Sequence, residues 1–207
     1  MTSDTVFNRI YLASQSPRRR ELLRQIGVSH DLLLLRNRAG RAVDVDEAPR
    51  AEESPGDYVQ RLCREKAGVA TRVVGLRGLP QQPLLAADTT VCVDGDILGK
   101  PQDVAEAAAM LQRLSARSHE VLTAVALQDG DRVDSRVSRS MVTMRALSVD
   151  DIQRYIVSGE SLDKAGAYAI QGRAAAFVAR IEGSYSGVMG LPLFETAELL
   201  ALFGYII

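Results

Sequence analysis

Apolar positions along this chain repeat with two periods, and switches between them mark the elements. Ile10-Tyr-Leu-Ala13 is a short apolar run that predicts a strand. An amphipathic stretch follows, with Ser16 in the N-cap place, Pro17 at the first helical position and Gly27 at the far end, and it predicts a helix. Asp31-Leu-Leu-Leu-Leu35 predicts a buried strand, Arg36 to Ala42 a polar loop, and Ser54-Pro55 the start of a helix with Val59, Leu62, Cys63 and Lys66 on or near one face. Gly75 to Pro83 is a Gly/Pro-rich connector. Leu84-Leu-Ala-Ala87 runs into Asp88 to Val93 as a strand that Asp94-Gly95 turns into a hairpin. Asp103 caps a helix carrying Ala107, Met110, Leu111 and Leu114. Strands are expected over 119–127 and 132–147, around Asp129-Gly130. Ser148 with Asp151 resembles a capping box for a helix buried through Ile152, Tyr155 and Ile156 and stopped at Gly159. Leu162 to Gly172 reads as a loop, Ala175 to Ile181 as a strand, Gly183 to Gly190 as a loop, and Pro192 as the start of a last helix with Leu199 and Leu202 inside.

Helices and strands alternate, but hairpins recur in the middle, which predicts an α/β fold with a mixed sheet rather than a regular doubly wound one. At 207 residues the chain can bury a sizeable core, and it is expected to be one elongated domain or two lobes sharing a sheet. A net charge of −1 means that any attraction for phosphate must be local, and 5% aromatic residues without Trp argue against a base-stacking nucleic-acid platform. No apolar run reaches membrane-spanning length and no signal-peptide core follows Met1, so a cytoplasmic protein is expected. Cys63 and Cys92 lie in apolar patterns and read as core residues; His30 and His119 alone do not build a zinc site. A metal would be held by oxygens, which points to Mg²⁺ or Mn²⁺.

Candidate chemistry gathers at a few places. In Ser14-Gln-Ser-Pro-Arg-Arg-Arg-Glu-Leu-Leu23, free N–H groups and three arginines meet at a helix start, a place suited to a phosphate or simply a solvated basic face. Successive helical residues are about 100° apart, so at most two of Arg18, Arg19 and Arg20 can face one ligand. Asp88, at the end of Leu84-Leu-Ala-Ala87, is expected at a sheet rim, either as a metal ligand or proton acceptor or as an exposed turn residue. Glu47, beside Asp44 and Asp46, is the second acidic candidate or part of a solvated loop. Lys66 either snorkels to water or reaches a buried anion, and Lys100 sits on a constrained turn between Gly99 and Pro101. Gln171, with a donor and an acceptor, can read a base edge. Together these suggest a nucleotide or polyphosphate site.

Six segments in order resemble one family: Leu12-Ala-Ser-Gln-Ser-Pro-Arg-Arg-Arg-Glu-Leu-Leu23, Arg64-Glu-Lys-Ala67, Ala87-Asp-Thr89, Gly99-Lys-Pro101, Asp163-Lys-Ala-Gly-Ala-Tyr168 through Gln171-Gly172, and Gly183-Ser-Tyr-Ser186 through Gly190-Leu-Pro-Leu193 are similar to the Maf family of nucleoside triphosphate pyrophosphatases. The resemblance implies a Maf/inosine-triphosphatase-like fold, a twisted mixed sheet flanked by helices with two lobes around a substrate cleft. It implies hydrolysis between the α- and β-phosphates with a divalent metal (Mg²⁺, Mn²⁺ or Co²⁺), a nucleoside triphosphate as partner rather than nucleic acid or membrane, and a homodimer as a common state. It places the proton acceptor on Asp88, the substrate-selecting positions on Arg18, Thr89 and Gln171, and cleft residues on Ser14, Ser16, Arg19, Glu47, Lys66 and Lys100, with Asp88 and Glu47 toward the metal. The run from Asp163 to Gly172 is similar to the subgroup acting on dTTP and UTP. The competing readings are a pyrophosphatase for modified purine nucleotides such as 7-methyl-GTP, and a nucleotide-binding regulator of cell division with little turnover. Gln15 is larger than the residue usual between the two serines, Arg36 to Val43 looks like an insertion, and Gly187 stands where a polar residue is more usual.

Overall fold

A computed structural model describes residues 9–35, 45–205 and 207. The insertion-like segment Arg36 to Val43 and Asp44 lie outside them. In chain order the elements are β1 Ile10–Leu12, α1 Pro17–Gln25, β2 His30–Leu32, α2 Pro55–Leu76, β3 Leu84–Val93, β4 Asp96–Leu98, α3 Val104–Leu114, β5 Ser118–Asp129, β6 Arg132–Met144, α4 Val149–Val157, β7 Val178–Glu182, α5 Tyr185–Met189 and α6 Leu193–Leu202. The strands form one seven-stranded sheet in the order β2-β1-β3-β5-β6-β7, with β4 added to β3. β1 runs parallel to β2 and β3, and every other pairing is antiparallel, so the sheet is mixed as expected.

Local chemistry explains most boundaries. The Ser54 hydroxyl accepts from Asp57 N–H at the start of α2, the Asp103 carboxylate from Glu106 N–H at α3, and Ser148 and Asp151 make the full reciprocal capping box of α4. Asp94 and Gly95 both have positive φ, which a two-residue turn matching strand twist requires.

Alternation along β3 distributes the core. Leu84, Ala86 and Cys92 pack with Val59, Leu62, Cys63 and Ala67 of α2. Leu85 and Ala87 face the other way, against Leu22 and Leu23 of α1 and Leu199 and Leu200 of α6. Both cysteines are buried, as expected.

Four expectations are corrected. The apolar run from Asp31 is a strand only through Leu32: β1 is three residues long, and the ladder ends where Leu33 N–H reaches Leu12 C=O. Residues 173–177 form a 3₁₀ helix, so the strand expected from Ala175 begins at Val178; three consecutive alanines favour helical backbone, and Arg145 N–H takes Phe177 C=O. The loop expected over 183–190 contains α5, capped by Ser184 and stopped by Gly190 at φ +114°. In α6 it is Leu199 and Leu200 that are buried, while Leu202 is 48% exposed.

The segment from Leu162 to Gly172 is tied down from below. Tyr155 Oη accepts from Ala169 N–H at 3.0 Å, and His119 Nε2 lies 2.8 Å from Tyr168 Oη. His119 is 2% exposed, and its Nδ1 has no partner among the described residues. Burial pushes its pKa down to about 4, so the folded protein holds this ring neutral while the unfolded chain protonates it below its ordinary value. Stability contributed by the neutral ring is therefore complete above about pH 6.5 and is lost as pH falls toward 4. In denaturant titrations across that window, His119→Phe is expected to lose stability with acidification less steeply than the wild type. Parallel slopes would contradict this reading. Among the described residues no helix is long and apolar enough to cross a membrane.

A candidate active site on the open edge of β3

β3 outlasts its neighbour. On β3, β1 pairs only with Leu84 and Leu85, and Ala13 N–H closes the ladder on Leu85 C=O; β4 covers Val91 to Val93, its last residue Leu98 opposite Val91. Between them, no described strand covers residues 86–90 on that edge. Asp88 thus lies inside a ten-residue strand, paired with Ala124 on the other edge, and not at a strand end as expected. Its access comes from the overhang of β3 past β1. Alternation then sends Asp88 to the α2 face and Thr89 to the opposite one.

On the α2 face three predicted residues meet. Lys66 Nζ stands 2.8 Å from Asp88 Oδ1 and 2.8 Å from Glu47 Oε1. Burial disfavours the Lys66 ammonium, but the two carboxylates outweigh it and hold its pKa above the ordinary lysine value. The hydrogen bond from Lys66 in turn lowers the pKa of Glu47, against burial, and the charges of Lys66 and of the exposed Lys100 act the same way. Asp46 is exposed and spends Oδ1 on Ala48 N–H, so of the described acidic residues 46 and 47 only Glu47 turns toward Asp88.

The backbone around Glu47 is held by residues that sequence reasoning missed. Tyr58 Oη donates to the Glu47 carbonyl at 2.9 Å, and Arg61 donates to the carbonyls of Asp46 and Ala48 at 3.2 and 3.1 Å. Arg61 also pairs with Glu53 at 2.6 Å, and that hydrogen bond holds the Glu53 carboxyl down at about 2. No spacing rule marks Arg61, because its partners are set by the path of an irregular segment.

On the opposite face the arginine cluster divides its labour. Arg19 Nε donates to Gly190 C=O at 2.7 Å, Nη1 to Ala87 C=O at 2.6 Å and to Ser14 Oγ at 3.4 Å, and Nη2 to Thr89 Oγ1 at 3.3 Å. Four of its five donors are therefore directed into the protein, and one Nη2 proton remains for a ligand. Among the described residues Arg18 makes no such bonds; its charge acts as a minor contributor on Arg19 and on Asp163, whose pKa is lowered chiefly by Lys164. The Ser16 side chain makes no cap to α1; instead Ser14 Oγ accepts from Ser16 N–H at 3.1 Å and shapes the turn.

Two loops frame this edge. Gly166 N–H donates to Gly99 C=O, joining the loop that carries Lys100 to the one that carries Gln171. Gly166 has φ +66°, and a Cβ there would stand 3.0 Å from both Val91 methyl groups. Gln171 is exposed at the end of its loop and makes no hydrogen bond to Asp88 or Arg19.

The residues fit a hard divalent cation. Two carboxylate oxygens converge on one cationic nitrogen, and oxygen donors suit Mg²⁺ and Mn²⁺. Among the described residues no three or more of His, Cys, Asp and Glu gather into a closed cage. One or two carboxylates completed by substrate phosphates is the arrangement Mg²⁺ commonly uses. Cys63 is no candidate nucleophile, because burial pushes its thiol up to about 12.

A family model described as Maf-like protein matches residues 9–203. A dTTP/UTP pyrophosphatase of Aromatoleum aromaticum is 57% identical over 95% of this chain and 96% of that protein. Proteins of the same name from Nitrosomonas europaea and Cupriavidus metallidurans are 56% and 58% identical, over 93% and 92% of this chain and 93% and 94% of theirs. The solved structure of the Staphylococcus aureus Ham1 protein is a distant likeness, with a TM-score of 0.41 at 15% identity over 66% of this chain and 70% of that one.

Proposed function

The chain belongs to the Maf family, and from that premise we propose that it hydrolyses dTTP and UTP, and related modified pyrimidine nucleotides, to the nucleoside monophosphate and pyrophosphate. The observation that carries the reading is the junction of Asp88, Lys66 and Glu47 on the open edge of β3, in a chain more than half identical to proteins named for this activity. Asp88 takes the proton of the attacking water, and the hydrogen bond from Lys66 Nζ holds its carboxyl in place on the open edge. Lys66, Lys100, the spare Arg19 proton, Ser14, Ser16 and the N–H groups at the start of α1 hold the phosphates and stabilise the charge that grows on departing pyrophosphate. Arg18, Thr89 and Gln171 select the base. Glu47 and Asp88 would hold a divalent cation together with substrate phosphates, and Mg²⁺, Mn²⁺ or Co²⁺ there supplies charge neutralisation at the reacting phosphate. Such a substrate pool places the enzyme in the cytoplasm.

Pyrophosphate release across dTTP, UTP, CTP and 7-methyl-GTP with each of the three metals tests this. The highest kcat/KM is expected on dTTP and UTP. A preference for 7-methyl-GTP would sink the substrate assignment, and no release from any nucleotide would favour the regulator over the enzyme.

A further inference from the structure

A row of hydroxyls crosses the sheet beside the proposed site. Thr89 of β3, Thr123 of β5 and Ser138 of β6 are in register, Thr89 opposite Thr123 and Thr123 opposite Ser138. All three face α5: Thr123 Oγ1 is 2.8 Å from Gly187 C=O, and a Cβ on Gly187 would lie 3.5 Å from Ser138 Oγ. Two residues along β6, on the same face, Ser140 Oγ accepts from Ser184 N–H at 2.9 Å.

Proton counting gives this row a direction. Thr123 has one hydroxyl proton and two close oxygens, Gly187 C=O at 2.8 Å and Thr89 Oγ1 at 3.0 Å. Thr123 Oγ1 is the donor toward both, so its one proton is shared between Gly187 C=O and Thr89 Oγ1. Thr89 also accepts from Arg19 Nη2, and Arg19 Nε holds Gly190 C=O at the far end of α5. Arg19 and Thr123 thus both donate to Thr89, and each also holds a carbonyl of α5 or its cap, Gly190 for Arg19 and Gly187 for Thr123. Thr89 accepts from both Thr123 and Arg19, which fixes where its hydroxyl sits and leaves its own proton for a ligand.

We propose that Thr123 is a positioning residue for substrate selection: its buried hydroxyl holds Thr89 and α5 in place beside Arg19, and the base is selected by the arrangement of Thr89, Arg19 and α5 that this contact fixes. The inference rests on the pyrophosphatase reading and on Thr89 being a selecting position. Thr123 is 1% exposed and beyond a substrate's reach, so any effect of its hydroxyl on selection must travel through these bonds.

The test compares Thr123→Val, Thr123→Ser, Thr89→Val and the double valine variant in the full chain. It measures kcat and KM on dTTP, UTP, CTP and 7-methyl-GTP, with melting followed alongside. Removing one buried hydrogen bond is expected to raise KM for dTTP and UTP about tenfold in Thr123→Val, with kcat changed by less than about threefold. The dTTP-to-CTP ratio of kcat/KM should fall by about the same amount as in Thr89→Val, the double variant should be no worse than either single, and Thr123→Ser should keep the wild-type ratio. The inference is overturned by a Thr123→Val ratio within about twofold of wild type, by equal losses on all four nucleotides, or by a Thr123→Ser ratio that shifts. Should Thr123→Val fail to fold, the serine variant still decides. A wild type that releases no pyrophosphate from dTTP or UTP refutes the proposed function and the inference with it. An active wild type with an unchanged Thr123→Val ratio refutes the inference alone.

Discussion

Asp88→Asn is expected to leave the protein folded and to slow dTTP hydrolysis by roughly 10³-fold or more. Asparagine has the same shape, and its side-chain oxygen can still accept from Lys66 Nζ, which also keeps its bond to Glu47. What disappears is a negative charge and a proton acceptor. A positioned general base contributes about 10²–10⁴ in rate, and the same substitution removes one of the two carboxylates proposed to hold a cation. The backbone has no reason to move, because residue 88 keeps its place opposite Ala124. Pyrophosphate release together with a melting curve measures both halves of the expectation. Activity within about tenfold of wild type would mean that Asp88 is not the base.

Gly183→Ala carries the largest expected loss of stability. Gly183 has φ +119°, a backbone region that side chains rarely enter. A Cβ there would lie 2.8 Å from Ser140 Oγ, 2.9 Å from Arg139 C=O and 3.0 Å from Ser140 Cα. Two of those three atoms are backbone of β6, which is locked on its other edge to β5 through Arg139 opposite Leu122 and Ser140 opposite Val121. The strand cannot give way, so the junction between β7 and α5 must. Strain and clash together are expected to cost about 2–4 kcal/mol and to lower Tm by roughly 5–12 °C. Gly75→Ala, in α2 with nothing within 4 Å of the added carbon, is the control and should be neutral or slightly stabilising. Equal melting of the two variants in a calorimeter would show that Gly183 is not under this constraint. Because α5 also carries the carbonyls that anchor Arg19 and Thr123, a folded Gly183→Ala protein should handle substrate poorly as well.

The arginine cluster shows how far the sequence could be read. Helical geometry alone states that three successive arginines cannot share one ligand. That Arg19 is the one turned inward, spending four donors on the protein, depends on Gly190 lying 171 positions away in the chain. Glu47 was legible only as one of several acids; Tyr58, Arg61 and Glu53 hold its segment against α2, and nothing in their spacing announces it. Asp88 was legible as a residue, but its setting was not. A strand end was the simplest way to expose it, whereas the chain exposes it by letting β3 run past a three-residue β1.

What the sequence determined by itself is what acts over a few residues: the caps at Ser54, Asp103 and Ser148, the hairpin at Asp94-Gly95, the face of α2 that bears Lys66, and the opposite facing of Asp88 and Thr89. These follow from hydrogen bonds and side-chain periods that one short segment satisfies alone. The tertiary structure decided which of those side chains meet. Strand order and strand length set the overhang of β3, the register of Thr89 with Thr123, and the convergence of Glu47 and Asp88 on Lys66. Such contacts join distant segments, so their geometry exists only once the sheet has been assembled around its buried faces.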